Sequence, residues 1–157
     1  PNGRIERMAT EDLVPDPNGL AFSQDYKKLY VASTGKGPGD TGPGGKGDLH
    51  VFDVGTDNKL VGHRVLSDCR IDNVGCGPDG VRCDVDGNIW CSSNAGRNVG
   101  YNGVTVWNPS GKLIGRIRLP EVCGNLCFGG AKRNRLFMMA SQSVYAVYVN
   151  TQGAGPA

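Results

Sequence analysis

Apolar residues in this chain fall into short runs in which apolar and polar positions alternate. Asp48-Leu49-His50-Val51-Phe52-Asp53-Val54 and Gly103-Val104-Thr105-Val106-Trp107 are such runs, and Leu29-Tyr30-Val31-Ala32-Ser33, Ile89-Trp90-Cys91-Ser92-Ser93 and Ser143 to Val149 are further strand candidates. Gly, Asn, Asp, Ser or Pro closes most of them. A two-residue period bounded by turn residues predicts half-buried antiparallel strands. No stretch holds a helical period for more than a turn or two. The chain is therefore expected to be all-β.

The strands are arranged in a repeat. Pro17-Asn18-Gly19-Leu20-Ala21-Phe22, a turn and Leu29 to Ser33 are echoed by Pro78-Asp79-Gly80-Val81-Arg82-Cys83, the turn Asp86-Gly87 and Ile89 to Ser93. A third copy reads Gly124-Asn125-Leu126-Cys127-Phe128, then Leu136 to Ala140. The intervals between Asn18, Asp79 and Gly124 are 61 and 45 residues. The shorter is near the ~40–50 residues of a four-stranded propeller blade. The longer holds the loop Gly35 to Gly47, with seven glycines and two prolines. It is no phosphate-binding loop, because Gly47 stands where Ser or Thr is needed.

Third strands are expected at 48–54 and 103–107 and fourth strands at 60–66 and 113–119. The last unit has a third strand at 143–149 but no fourth, and residues 3–8 read as a lone fourth strand. Residues 1–157 are thus read as a partial β-propeller with blades near 13–66, 74–119 and 123–150. Residues 3–8 would be the outer strand of the preceding blade. Propellers close with roughly four to eight blades. The remainder is expected from outside this chain: a second chain, a clipped or unlisted N-terminal half, or a copy.

Asn18 and Asp79 place side-chain oxygens at equivalent points of neighbouring units. Inner strands of adjacent blades converge, so these oxygens are expected to converge too, as a hard cation such as Ca²⁺ requires. Composition narrows the partners. With 17 basic and 15 acidic side chains, no nucleic-acid partner is expected. No apolar run is long enough to cross a membrane as a helix. The six cysteines show no zinc spacing and read mainly as small buried residues. Cys69 and Cys76 would be the disulfide pair in an oxidising compartment, towards which the cysteine count leans. Cys83 and Cys91 are expected opposite each other on paired strands.

Pro17 to Ser23, Lys28-Leu29-Tyr30-Val31, Pro78-Asp79-Gly80-Val81 and Asn125 to Gly130, in this order and spacing, resemble the gluconolactonase, senescence-marker-protein and luciferin-regenerating-enzyme family. The resemblance implies a six-bladed β-propeller of which this chain supplies about three blades, as the C-terminal half. It also implies a divalent metal in the channel, with Asn18 and Asp79 as ligands and the other ligands in the absent half. Gly124, the matching position in the last blade, offers no side chain. Ca²⁺ is the first choice, with Zn²⁺, Mn²⁺ or Mg²⁺ as alternatives.

The implied activity is metal-dependent hydrolysis of a lactone, plausibly a sugar lactone, by metal-activated water. A carboxylate beside the metal can act as general base, and Asp79 is that candidate. Arg97 and Tyr101, in the loop 94–102 on the metal face, are candidate substrate-binding residues. The alternatives are a phosphoester or fluorophosphate hydrolase on the same propeller, or a non-catalytic fragment serving as a binding platform. His50 and His63 are expected to be structural or solvent-facing, and Trp90 and Trp107 to lie in the core.

Overall fold

The computed structural model describes residues 3–34 and 46–155. The chain is all-β: antiparallel strands and no helix among the described residues. The first sheet holds β1 (Pro17–Phe22), β2 (Lys28–Ser33), β3 (Asp48–Val54) and β4 (Leu60–Ser67), in that spatial order. A short hairpin, β5 (Arg70–Ile71) and β6 (Val74–Gly75), leads to the second sheet. That sheet holds β7 (Gly77–Cys83), β8 (Ile89–Asn94), β9 (Gly103–Trp107) and β10 (Leu113–Arg118), again in chain order. The third has three strands among the described residues: β11 (Cys123–Gly129), β12 (Arg135–Ala140) and β13 (Val144–Tyr148).

The burial pattern explains the sequence pattern. β2 and β8 are buried on both faces because each lies between neighbouring strands and beneath packed surfaces, so both read as near-continuous apolar runs. One face of the first sheet, with Tyr30, Ala32, Leu49 and Val51, packs on Val81, Cys83, Ile89, Cys91 and Trp107 of the second. The second sheet turns Trp90, Val104 and Val106 to Leu126, Leu136 and Met138 of the third. Trp90 meets Phe128 edge-on, with ring centroids 5.4 Å apart. Val14, Leu29, Val31 and Phe52 form a smaller cluster on the far face of the first sheet.

Two local devices hold the sheets. Asp84 is fully buried in the β7–β8 turn and accepts hydrogen bonds from the backbone N–H groups of Asp86 (3.0 Å) and Asn88 (2.8 Å). It also accepts from Asn88 Nδ2 and Trp90 Nε1, both at 2.9 Å. The second device is the segment 152–155, which is bonded to the turn after the first strand of each sheet. Val85 N donates to Gln152 O and Gly153 N to Arg133 O, both at 2.9 Å, and Ala154 N to Cys83 O at 2.8 Å. Gly155 N reaches Gln24 Oε1 at 2.9 Å. Gly153 must be glycine there, since a Cβ would lie 2.5 Å from Cβ of Phe128.

Residues 3–8 are exposed and pair with no strand of the described chain, although Glu6 forms an ion pair with Lys59. All six cysteines are thiols. Cys69 and Cys76 flank the β5–β6 hairpin, where Cys76 N donates to Cys69 O at 3.0 Å. Burial pushes the Cys69 thiol up to about 12. Cys83 and Cys91 share a face but are not opposite each other: the register sets Cys83 against Ile89 and Cys91 against Val81.

Candidate metal and catalytic centre

The three first strands, β1, β7 and β11, lie side by side. Each is irregular near its start. Pairing with the next strand shifts between Pro17 and Leu20 in β1, between Pro78 and Val81 in β7, and between Cys123 and Asn125 in β11. A bulge frees one residue from the ladder and re-aims its side chain. Asn18, Asp79 and Gly124 occupy these irregular positions. The turn-like Pro and Gly residues beside Asn18 and Asp79 suggest a position just before a strand; both instead lie within β1 and β7, where these residues mark a bulge rather than a turn.

The glycines after Asn18 and Asp79 allow the strands to approach. A Cβ on Gly19 would stand 1.9 Å from the carbonyl oxygen of Asp79. One on Gly80 would stand 2.7 Å from Cα of Asn125. Backbone contact of this kind admits only glycine. It brings the strand of Asn18 against Asp79 and the strand of Asp79 against Asn125. Gly124 also faces the site, since a Cβ there would lie 3.8 Å from Asp79 Oδ2.

Asp79 is partly buried, and burial raises its carboxyl above the ordinary value. No cationic side chain compensates it among the described residues. The carboxylate also pushes the buried Cys123 thiol up, after the larger effect of burial, to about 11. A desolvated carboxylate without a positive partner is chemically suited to a cation. The backbone around it is held on both sides. Thr34 Oγ1 donates to Pro78 O at 2.8 Å, and Gly80 N donates to Ser92 Oγ at 2.8 Å. Asn18 is exposed at the open side of β1.

No group of three or more His, Cys, Asp or Glu side chains is placed to hold a metal among the described residues. One carboxylate and one amide fit part of a hard-cation donor set and fall short of a whole one.

The second-sheet loop is less simple than its sequence. The Tyr101 hydroxyl donates to Asp72 Oδ2 at 3.0 Å, and the Arg116 guanidinium lies 4.8 Å from its ring centroid. That hydrogen bond is the main cause of the raised Tyr101 pKa. Arg97 is exposed. Neither shares a hydrogen bond with Asn18 or Asp79 among the described residues. The residues flanking the loop 35–45, which itself lies outside the described residues, are near the start of β7. Gly47 is positioned so that a Cβ would lie 3.6 Å from Cα of Gly77.

Sequence reasoning missed Ser92 and Thr34. The signal was available for one of them: Ser92 aligns with Ala32 in otherwise similar runs. It also missed the pairing of the two histidines. His50 Nδ1 lies 3.0 Å from His63 Nε2, with the rings stacked. Burial, then the charge of His63, lowers the pKa of His50.

Antiparallel sheets ranked side by side, with their first strands in backbone contact, are the frame of the site. The chain belongs to the SMP-30/gluconolactonase/LRE-like family, which it matches over residues 1–142. It is 28% identical to a gluconolactonase of Zymomonas mobilis, over 98% of this chain and 40% of that protein. A gluconolactonase structure from Xanthomonas campestris is 30% identical with a TM-score of 0.65, over 91% of this chain and 40% of the other. A calcium-binding protein of Agrobacterium tumefaciens, regucalcin, shares the fold at 19% identity and a TM-score of 0.65, over 91% and 48%. The chain thus spans 40% of the length of both gluconolactonases.

Proposed function

We propose that this chain forms half of a six-bladed β-propeller that hydrolyses a lactone, of the sugar-lactone class, at a divalent cation. The observation that carries this reading is the uncompensated Asp79 carboxylate at the bulge of β7, with the Asn18 strand packed on its backbone. Membership of the family supports lactone hydrolysis in general. Each sheet would be a blade. Residues 3–8 would pair with the preceding blade, and the third sheet would take its outer strand from sequence outside this chain.

The side-chain oxygens of Asn18 and Asp79 would hold the cation, with remaining ligands from the other half. Ca²⁺ is the first candidate, and regucalcin's description as a calcium-binding protein supports it. When bound, the ion polarises an ester carbonyl and makes nearby water more acidic. Asp79 accepts a proton from the attacking water as the new carbon–oxygen bond forms. Ring opening breaks the ester C–O bond, and the proton passes to the departing alkoxide. A hydroxy acid results. Arg97 would meet the polar substrate from the loop, whereas Tyr101 would first have to release Asp72.

The test is a panel of sugar lactones assayed on the complete protein after chelation and again after adding Ca²⁺, Mn²⁺ or Zn²⁺. Lactone opening should vanish with chelator and return with metal. Turnover of a phosphoester and not of lactones would overturn the substrate assignment, and turnover of neither would leave a binding platform. Intact-mass measurement of the native protein would identify the source of the other half.

A further inference from the structure

A bulge leaves a backbone N–H of its strand without a ladder partner. In β7 the bulge N–H of Gly80 donates to Ser92 Oγ at 2.8 Å. The same hydroxyl donates its own hydrogen to the Gly124 carbonyl of β11 at 3.1 Å. A serine hydroxyl has one hydrogen to give and lone pairs to accept with, so both bonds form together. Ser92 is fully buried, so water does not compete for either bond. One side chain on β8 therefore fastens the bulge that carries Asp79 to the equivalent bulge of the next sheet.

The repeat supplies its own comparison. Ser33, Ser93 and Ala140 are matched by the register, pairing with Pro17, Pro78 and Cys123. The residue before each is Ala32, Ser92 and Met139. Only the sheet whose bulge carries a carboxylate has a hydroxyl there. Two apolar residues in the same position show that the strand does not need serine to form. Ser92 instead answers a local demand: holding the peptide that follows Asp79.

We propose that Ser92 is a positioning residue, which directs the Asp79 carboxylate towards the cation by locking the Gly80 amide to the third sheet. This rests on the reading of Asp79 as ligand and base. Without the hydroxyl, the Gly80 N–H and the Gly124 carbonyl lose their common partner, and the bulge is free to change pitch. A residue supporting a metal ligand in this way is typically worth ~10–100-fold in metal affinity or activity.

The experiment compares Ser92→Ala, Ser93→Ala and Asp79→Asn in the complete protein, with Ca²⁺ binding followed by calorimetry and lactone turnover at saturating Ca²⁺. Ser93 is an apt control: it is equally buried and its hydroxyl donates to the Tyr101 carbonyl at 2.6 Å. Ser92→Ala should weaken Ca²⁺ binding by about 10-fold or more and lower kcat more than it raises KM. Ser93→Ala should lose thermal stability and keep Ca²⁺ affinity. Should Ser92→Ala not fold, Ser92→Cys keeps the shape with a somewhat larger, weaker hydrogen-bonding group and should show the same loss in smaller degree. Wild-type affinity in the folded Ser92 variant, or an equal loss in Ser93→Ala, overturns the positioning role. If Asp79→Asn loses binding and Ser92→Ala does not, that role alone falls. If Asp79→Asn binds and turns over like the wild type, the reading of the site falls and this role with it.

Discussion

β1 and β7 begin with nearly the same residues and end in different surroundings. In β7, Val81 and Cys83 are buried, whereas Leu20 and Phe22 of β1 are 55% and 41% exposed. Both strands pair with a following strand through the same kind of bulge. The difference lies in their flanks. β7 has β1 on one side and β11 on the other, while β1 meets only β7 among the described inner strands. The local sequence therefore sets conformation, and position in the array sets burial. It also sets chemistry: Asp79, enclosed from both sides, is the desolvated member of the pair, and Asn18 is the exposed one.

The largest expected contrast is catalytic. Asp79→Asn in the complete protein keeps an oxygen but loses the charge and the base, so lactone turnover should fall by roughly 10²–10⁴-fold. Near wild-type rates, measured with the fold intact by circular dichroism, would remove the asymmetry between the two positions. Next in size is a structural contrast at the contact of the strands. Gly19→Ala puts a Cβ against the Asp79 carbonyl, 1.9 Å away, and should destabilise the protein by about 3 kcal/mol in denaturant unfolding. A neutral result would mean that β1 and β7 are not in backbone contact.

Asn18→Ala should act more gently, weakening metal binding by about tenfold because a neutral amide holds a cation less firmly than a carboxylate. Excess metal should restore part of the rate, which a titration of activity against Ca²⁺ would reveal. Gly124→Ala is the smallest change. Its Cβ would stay 3.8 Å from Asp79 Oδ2, an ordinary contact, so stability should move by no more than about 0.5 kcal/mol. A large loss there would mean that the third bulge needs glycine for its backbone.

Strand locations were legible because short apolar runs bounded by turn residues leave few other readings for stretches such as 28–33 and 103–107. The paired motif was legible because it is written twice. What the motif does to the backbone was not. Pro17, Gly19, Pro78 and Gly80 resemble turn punctuation, and only a neighbouring strand shows that these glycines make room for a backbone. Cys83 and Cys91 were misplaced for a related reason, since their register depends on the Asp84-centred turn, whose hydrogen bonds reach Trp90. The contact of His50 with His63 depends on the irregular pairing of β3 with β4. Such contacts follow from register, which alternation alone leaves open.

The segment 152–155 has a further consequence, for how the molecule comes apart. It is bonded to Gln24 in the β1–β2 turn, to Cys83 at the end of β7 and Val85 in the turn after it, and to Arg133 in the β11–β12 turn. A sheet that loosened alone would have to break this tie as well as its own interface. Local opening in one unit is thereby converted into a cost shared by its neighbours, as within a single foldon. The amide hydrogens of β2, β8 and β12 should accordingly exchange with solvent through one common opening reaction, although the three strands never pair with one another.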